Sequence, residues 1–114
     1  MADEQQVRAA VAEIVSRLDD LDEHTRRKIP DRSISALVTD VDLAWTGRFE
    51  GGHLCDVEEI DPASARDAAF KLKLDSGTLL ELVDGEVGFA HAWSRGRVRV
   101  DAGFRDILAL RSFL

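Results

Sequence analysis

The apolar residues near the start of the chain recur at helical spacing. Val7, Val11, Ile14, Val15, Leu18 and Leu21 form one stripe, with Glu13, Arg17 and Asp20 between them. This pattern predicts an amphipathic helix from Asp3 to about Glu23. Asp3 and Glu4 suit its positive N-terminal end, whereas Asp19, Asp20, Asp22 and Glu23 oppose the dipole at the other end and mark its stop. A basic segment, "HTRRK", leads to Ile29-Pro30, where the proline pushes its predecessor toward extended geometry.

Beyond Pro30 the period changes. "RSISALVTDVDLAWTGRFEGGHLCDVEEID" reads as strand material, with a hairpin turn at Gly51-Gly52. Leu43, Trp45 and Phe49 share one strand face, and Gly47 on that face leaves a bulge or room for another group. After the turn, Leu54 and Ile60 share a face with Asp56 and Glu58, so this strand is expected to be short, irregular or at an edge. "DAAFKLKLD" alternates cleanly: Ala68, Phe70, Leu72 and Leu74 point one way, Ala69, Lys71 and Lys73 the other.

Asp75 or Ser76 can cap the next helix, "GTLLELVDG", whose apolar side is Leu79, Leu80, Leu82 and Val83 and whose stop is Gly85. "EVGFAHAWSRG" is a shorter helix with Phe89 and Trp93 four apart. "RVRVD" supplies one more strand, expected to cross over to the sheet rather than form a hairpin. An apolar helix from Phe104 onward follows. Strands and helices that do not alternate strictly predict a single α+β domain over residues 1–114, with helices on one face of a largely antiparallel sheet.

Composition narrows the partners. The net charge is −7, and residues 1–75 hold 17 acids and 10 bases against five of each in residues 76–114. Neither part has the basic excess that a nucleic-acid binder or an anionic-membrane adhesin uses. The lone Cys55 excludes an internal disulfide and fits a reducing, cytoplasmic setting. The N-terminus lacks a signal-peptide pattern, and no run approaches a membrane span, so no stable membrane insertion is expected.

The chemistry-bearing residues form no catalytic motif. His24, His53 and His91 stand apart without cysteine or carboxylate at ligand spacing, and no nucleophile elbow or phosphate-binding glycine loop occurs. No enzyme activity, metal or cofactor is therefore expected. Arg95, Arg97 and Arg99 are the one basic cluster; Arg97 and Arg99 share a strand face that is either solvated or a contact for an acidic head group. The aromatics Trp45, Phe49, Phe70, Phe89, Trp93, Phe104 and Phe113 all sit on apolar sides of their elements.

The order of elements in "DAAFKLKLDSGTLLELVDGEVGFAHAWSRGRVRVDAGFRDILALRSFL" resembles the sterol carrier protein type-2 family of lipid-binding domains: strand, two helices each ended by a glycine (Gly85, Gly96), strand, Gly103 and a last helix. "VDLAWTGRFEGGHLCDV" is similar to that family's early hairpin. One departure is "VDAG", where Asp101 and Ala102 precede the glycine. The resemblance implies a five-stranded sheet with N-terminal and C-terminal helices and an apolar tunnel between the layers. It also implies binding of fatty acid, acyl-CoA, sterol or phospholipid without chemical turnover.

The expected lining is Trp45, Phe49, Phe70, Leu72, Leu79, Leu82, Phe89, Trp93, Phe104 and Leu108, with Arg97 or Arg99 holding a head group. In the resembling family the last helix closes the tunnel, so Phe104, Ile107, Leu108, Leu110, Phe113 and Leu114 are expected to face lipid or core. The alternative from the residues alone is an interaction module with a filled core, whose last helix buries itself against a second copy or another protein.

Overall fold

The computed structural model describes residues 3–112. The chain runs through helices α1 (Glu4–Asp19) and α2 (Glu23–Arg26), then strands β1 (Arg32–Val38), β2 (Leu43–Glu50) and β3 (His53–Ile60). A 3-10 segment (Pro62–Asp67) precedes strand β4 (Phe70–Leu74), helices α3 (Ser76–Val83) and α4 (Phe89–Ser94), strand β5 (Val98–Ala102) and helix α5 (Phe104–Ser112). The expectations for Phe113 and Leu114 lie outside the described residues.

The α1 stripe forms as its spacing predicts, with a capping box in which Asp3 accepts from the Gln6 amide at 2.8 Å and Gln6 accepts from the Asp3 amide at 3.0 Å. The helix stops at Asp19 rather than near Glu23, because Asp22 caps a separate short helix by accepting from the Thr25 amide at 2.7 Å. One acidic cluster thus ends one helix and starts the next.

The sheet is mixed and mostly antiparallel, in the order β3-β2-β1-β4-β5. β1 pairs antiparallel with β2 and parallel with β4, so the crossover is the link from β3 to β4. β5 lies antiparallel beside β4, returning after two helices, which corrects the crossover expected for it. β3 is an edge strand of eight residues, irregular as expected: its register shifts between Thr46 and Arg48, and Asp56 takes a φ of 56°. The bulge brings Leu54 and Val57 over Gly47, where an added Cβ would stand 3.1 Å from Leu54 Cδ1 and 3.4 Å from Val57 Cγ2.

Helices α1, α3 and α4 pack on the face that carries Val38, Leu43, Trp45, Leu74 and Val98, and the buried core joins these to Val7, Ala10, Leu79 and Ala92. α3 is capped by Asp75, which accepts from the Thr78 amide at 2.7 Å. The opposite face is partly covered by the 3-10 segment, where Ser35 Oγ donates to the Ala65 carbonyl at 2.6 Å. The sequence pattern does not foresee this segment, since its six residues are too few to show a period.

Candidate functional site

The helix-covered face of the sheet divides along the strand direction. At one end Val38 pairs with Leu43 and Leu74, and Leu74 with Val98, all buried in the core. At the other end Arg32 pairs with Phe49 and Ile34 with Phe70, and above them lies a hollow of about 450 Å³. Leu72 belongs to both regions, packing against the core while it lines the hollow.

Each wall comes from a different element. The sheet supplies Ile34, Phe49, Phe70 and Leu72; the end of α1 and the turn after it supply Leu18 and Leu21. The α2 region adds Thr25, Ile29 and Pro30, α4 adds Phe89, and α5 adds Asp106, Ala109 and Leu110. Apart from Thr25 and the charged pair Arg32 and Asp106, these groups are apolar. Arg32 Nε donates to the two Asp106 carboxylate oxygens at 3.1 and 3.2 Å, and its Nη1 donates to the Asp31 carbonyl at 2.8 Å. The Asp106 side chain is 14% exposed and that of Arg32 44%. This pair ties α5, which has no buried residue among those described, to the start of β1.

The wall at α2 is held by Arg26, a buried guanidinium. Its Nη2 donates to the Asp19 and Leu21 carbonyls at 3.1 and 2.8 Å, joining the α1 terminus, and its Nη1 donates to the Gly52 carbonyl at 3.2 Å. A fourth bond, 3.0 Å to His53 Nδ1, needs the lone pair on that nitrogen and therefore places the ring proton on Nε2. Gly52, at φ 81°, admits this approach: an added Cβ would stand 2.1 Å from Arg26 Cγ. Asp31 adds a second tie by accepting from the Gly51 amide at 3.0 Å. The Gly51-Gly52 turn is thus also the seat of the α2 wall. Arg8 and Glu59 clamp α1 to the edge strand at 2.8 and 3.1 Å, and this hydrogen bonding holds the Glu59 carboxyl below its usual range.

Of the twelve expected site residues, the structure brings Phe49, Phe70, Leu72 and Phe89 together around the hollow. Trp45 and Leu79 are in the core, and Leu82 packs against it. Trp93 stands beside Phe89, ring centroids 6.1 Å apart, with the Arg111 guanidinium 5.9 Å from its ring centre. Arg97 is paired with Glu81. Arg99 alternates with the inward Val98 and Val100 and lies opposite Lys73, on the face turned away from the hollow. Phe104 and Leu108 point outward, 77% and 49% exposed, because α5 turns Asp106, Ala109 and Leu110 inward instead.

Sequence reasoning missed most of the α1, α2 and α5 walls. Leu18 and Leu21 carried a signal, being the last two members of the helical stripe; Arg32 and Asp106 carried none. Among the described residues no group of three His, Cys, Asp or Glu side chains is placed to hold a metal, and no helix is long and apolar enough to cross a membrane.

No protein-family model and no curated protein matches the sequence. Solved structures do match in fold. A crystal structure of sterol carrier protein 2 aligns with TM-score 0.68 at 16% identity, covering 89% of this chain and 83% of that one. The solution structure of sterol carrier protein 2 from Aedes aegypti, in complex with the C16 fatty acid palmitate, aligns with TM-score 0.61 at 19% identity, covering 99% and 96%. The inverting sec-alkylsulfatase Pisa1 from Pseudomonas sp. aligns with TM-score 0.56 at 18% identity over 84% of this chain but only 14% of its own. At such identities the likeness is one of fold, and the fold of this chain is that of the sterol carrier protein 2-like domains.

Proposed function

We propose that the protein binds a hydrophobic small molecule in the hollow between sheet and helices and carries it without chemical change. The observation behind this reading is the apolar hollow itself, about 450 Å³ in volume, within the range of roughly 300 to 1,000 Å³ typical of small-molecule sites. The hollow opens to solvent, so an apolar occupant would take its lining out of water, which favours binding by roughly 25 cal/mol per Å² of apolar surface buried. The palmitate complex of the Aedes aegypti protein supports a lipid as the class of occupant. Phe49, Phe70, Leu72 and Phe89 are the proposed contacts on the sheet and α4 sides.

The test is a titration of delipidated protein with Nile red, an uncharged hydrophobic dye, alongside the variant Ala109→Phe. The α5 position of Ala109 lets a larger ring enter the hollow without disturbing a strand. Saturation near one dye per chain, weakened about tenfold or more by the variant at unchanged melting temperature, is the expected result. A non-saturating signal, or a variant that binds as tightly as the parent, would refute the proposal.

A further inference from the structure

We infer that the Arg32–Asp106 ion pair makes the hollow selective for uncharged chain ligands that end in a hydroxyl, such as a long-chain alcohol, over carboxylate anions of the same apolar size. This rests on the proposed role of the hollow as a ligand site and names what that site selects. Arg32 is the one cationic side chain lining it among the described residues, and it is already engaged. Its Nε faces both oxygens of Asp106 and its Nη1 is bound to the Asp31 carbonyl.

An incoming carboxylate must either take the guanidinium from Asp106 or sit beside a pair whose net charge is zero. Taking it strands the Asp106 carboxylate, only 14% exposed, with no other cation paired to it among the described residues. An unpaired charge in such surroundings is costly. Sitting beside the pair gains little, because the attraction to Arg32 is offset by repulsion from Asp106. Of the other basic side chains, Arg99 and Lys73 are on the opposite sheet face, Arg97 is bound to Glu81 and Arg111 lies over the Trp93 ring; neither these nor Lys28, next to Ile29, line the hollow.

A hydroxyl meets neither penalty. It donates to Asp106, whose carboxylate oxygens each have a second acceptor site, and accepts from a guanidinium N–H or the Thr25 hydroxyl while the ion pair stays intact. An acidic protein of net charge −7 adds a weaker bias in the same direction.

Nile red displacement by dodecan-1-ol and by dodecanoate at pH 8, where the acid is ionised, measures the selectivity at matched chain length. The alcohol is expected to bind about tenfold or more tightly in the parent protein, the weight of one charge-assisted hydrogen bond in partly solvated surroundings. Asp106→Asn, with its fold checked by thermal melting, is expected to reduce the alcohol-to-acid affinity ratio by about tenfold, because Arg32 is then free to pair with the acid. Equal binding of both compounds by the parent protein overturns the inference and leaves the cavity reading standing. So does tighter binding of dodecanoate that is lost in Arg32→Gln, which would make Arg32 an anion anchor. Displacement by neither compound overturns the cavity reading and the inference with it. Should Asp106→Asn fail to fold, the parent's ratio and Arg32→Gln decide the matter.

Discussion

Replacing Arg26 with alanine tests how the α2 wall is held. The side chain is 7% exposed and makes four hydrogen bonds, three to carbonyls and one to His53 Nδ1. Hydrogen bonds from a charged donor contribute roughly 1.5 to 3 kcal/mol each, so a simple sum approaches the entire stability of a domain this size. That sum is too large. Ordering an arginine costs about 2 kcal/mol of rotamer entropy, and water can reach the exposed Asp19 and His53 once the guanidinium is gone.

A net loss of about 3 kcal/mol is therefore expected, equivalent to a fall of roughly 12 °C in melting temperature. Arg26→Lys keeps the charge but not the planar fork, and should lose about half as much. Urea unfolding followed by tryptophan fluorescence, with Trp45 in the core as reporter, gives both values. Gly52→Ala strikes the same joint from the other side, since its Cβ would overlap Arg26, and should cost a similar amount. Because Thr25 and Ile29 ride on this joint, Nile red binding should weaken in all three variants. A loss below about 1 kcal/mol for Arg26→Ala would refute the idea that this residue holds the wall.

The remaining predictions separate core, hollow and surface. Leu79→Ala, 3% exposed, should destabilise by about 2 to 5 kcal/mol, whereas Ile34→Ala at the edge of the hollow should cost less, measured by the same urea titration. Phe104→Ser and Leu108→Ser should each change stability by about 0.5 kcal/mol or less and leave dye binding unaltered; a larger loss would mean that this face of α5 is covered. Asp40, hydrogen-bonded by the Ser76 hydroxyl and amide, and Asp22, hydrogen-bonded by the Thr25 amide, are both held below the ordinary value of 3.8 in the folded protein. The stability they contribute is present above that value and lost as pH falls through their folded values. Melting temperature should therefore hold at neutral pH and drop below about pH 4, and the drop should be shallower in Asp22→Asn/Asp40→Asn.

Much of the fold was legible because its elements repeat a period. The α1 stripe, the alternation of Phe70, Leu72 and Leu74, and the stops at Gly85 and Gly96, with φ of 76° and 75°, each rest on local rules that no distant contact overrides. What was not legible depends on rotation or on distance. An apolar stripe on a short helix does not say which of its sides meets the sheet, so Phe104 and Leu108 could be placed inward from sequence while α5 in fact turns Ala109 and Leu110 that way. Arg32 and Asp106 are 74 residues apart, and Arg26 meets its turn across 26, separations at which a charged residue carries no sign of its partner.

The position of the hollow follows from where apolar volume is supplied. Val7 and Ala10 on α1 and Leu79 on α3 fill the space above Val38, Leu43 and Trp45, and that end of the sheet is solid. Toward the other end α1 stops at Asp19, the four-residue α2 contributes Arg26 to its own anchorage, and α5 places nothing in the core. Ile34, Phe49 and Phe70 are left with apolar faces and too little to pack on them, which in a domain of this size would ordinarily be closed by collapse of the helices onto the sheet. Collapse is opposed here by fixed struts: Arg26 to the glycine turn, Asp31 to Gly51, and Arg32 to Asp106. The same polar residues that hold the walls in place therefore keep the volume open, and the strut that faces into it, Arg32 with Asp106, is the charged pair on an otherwise almost wholly apolar wall.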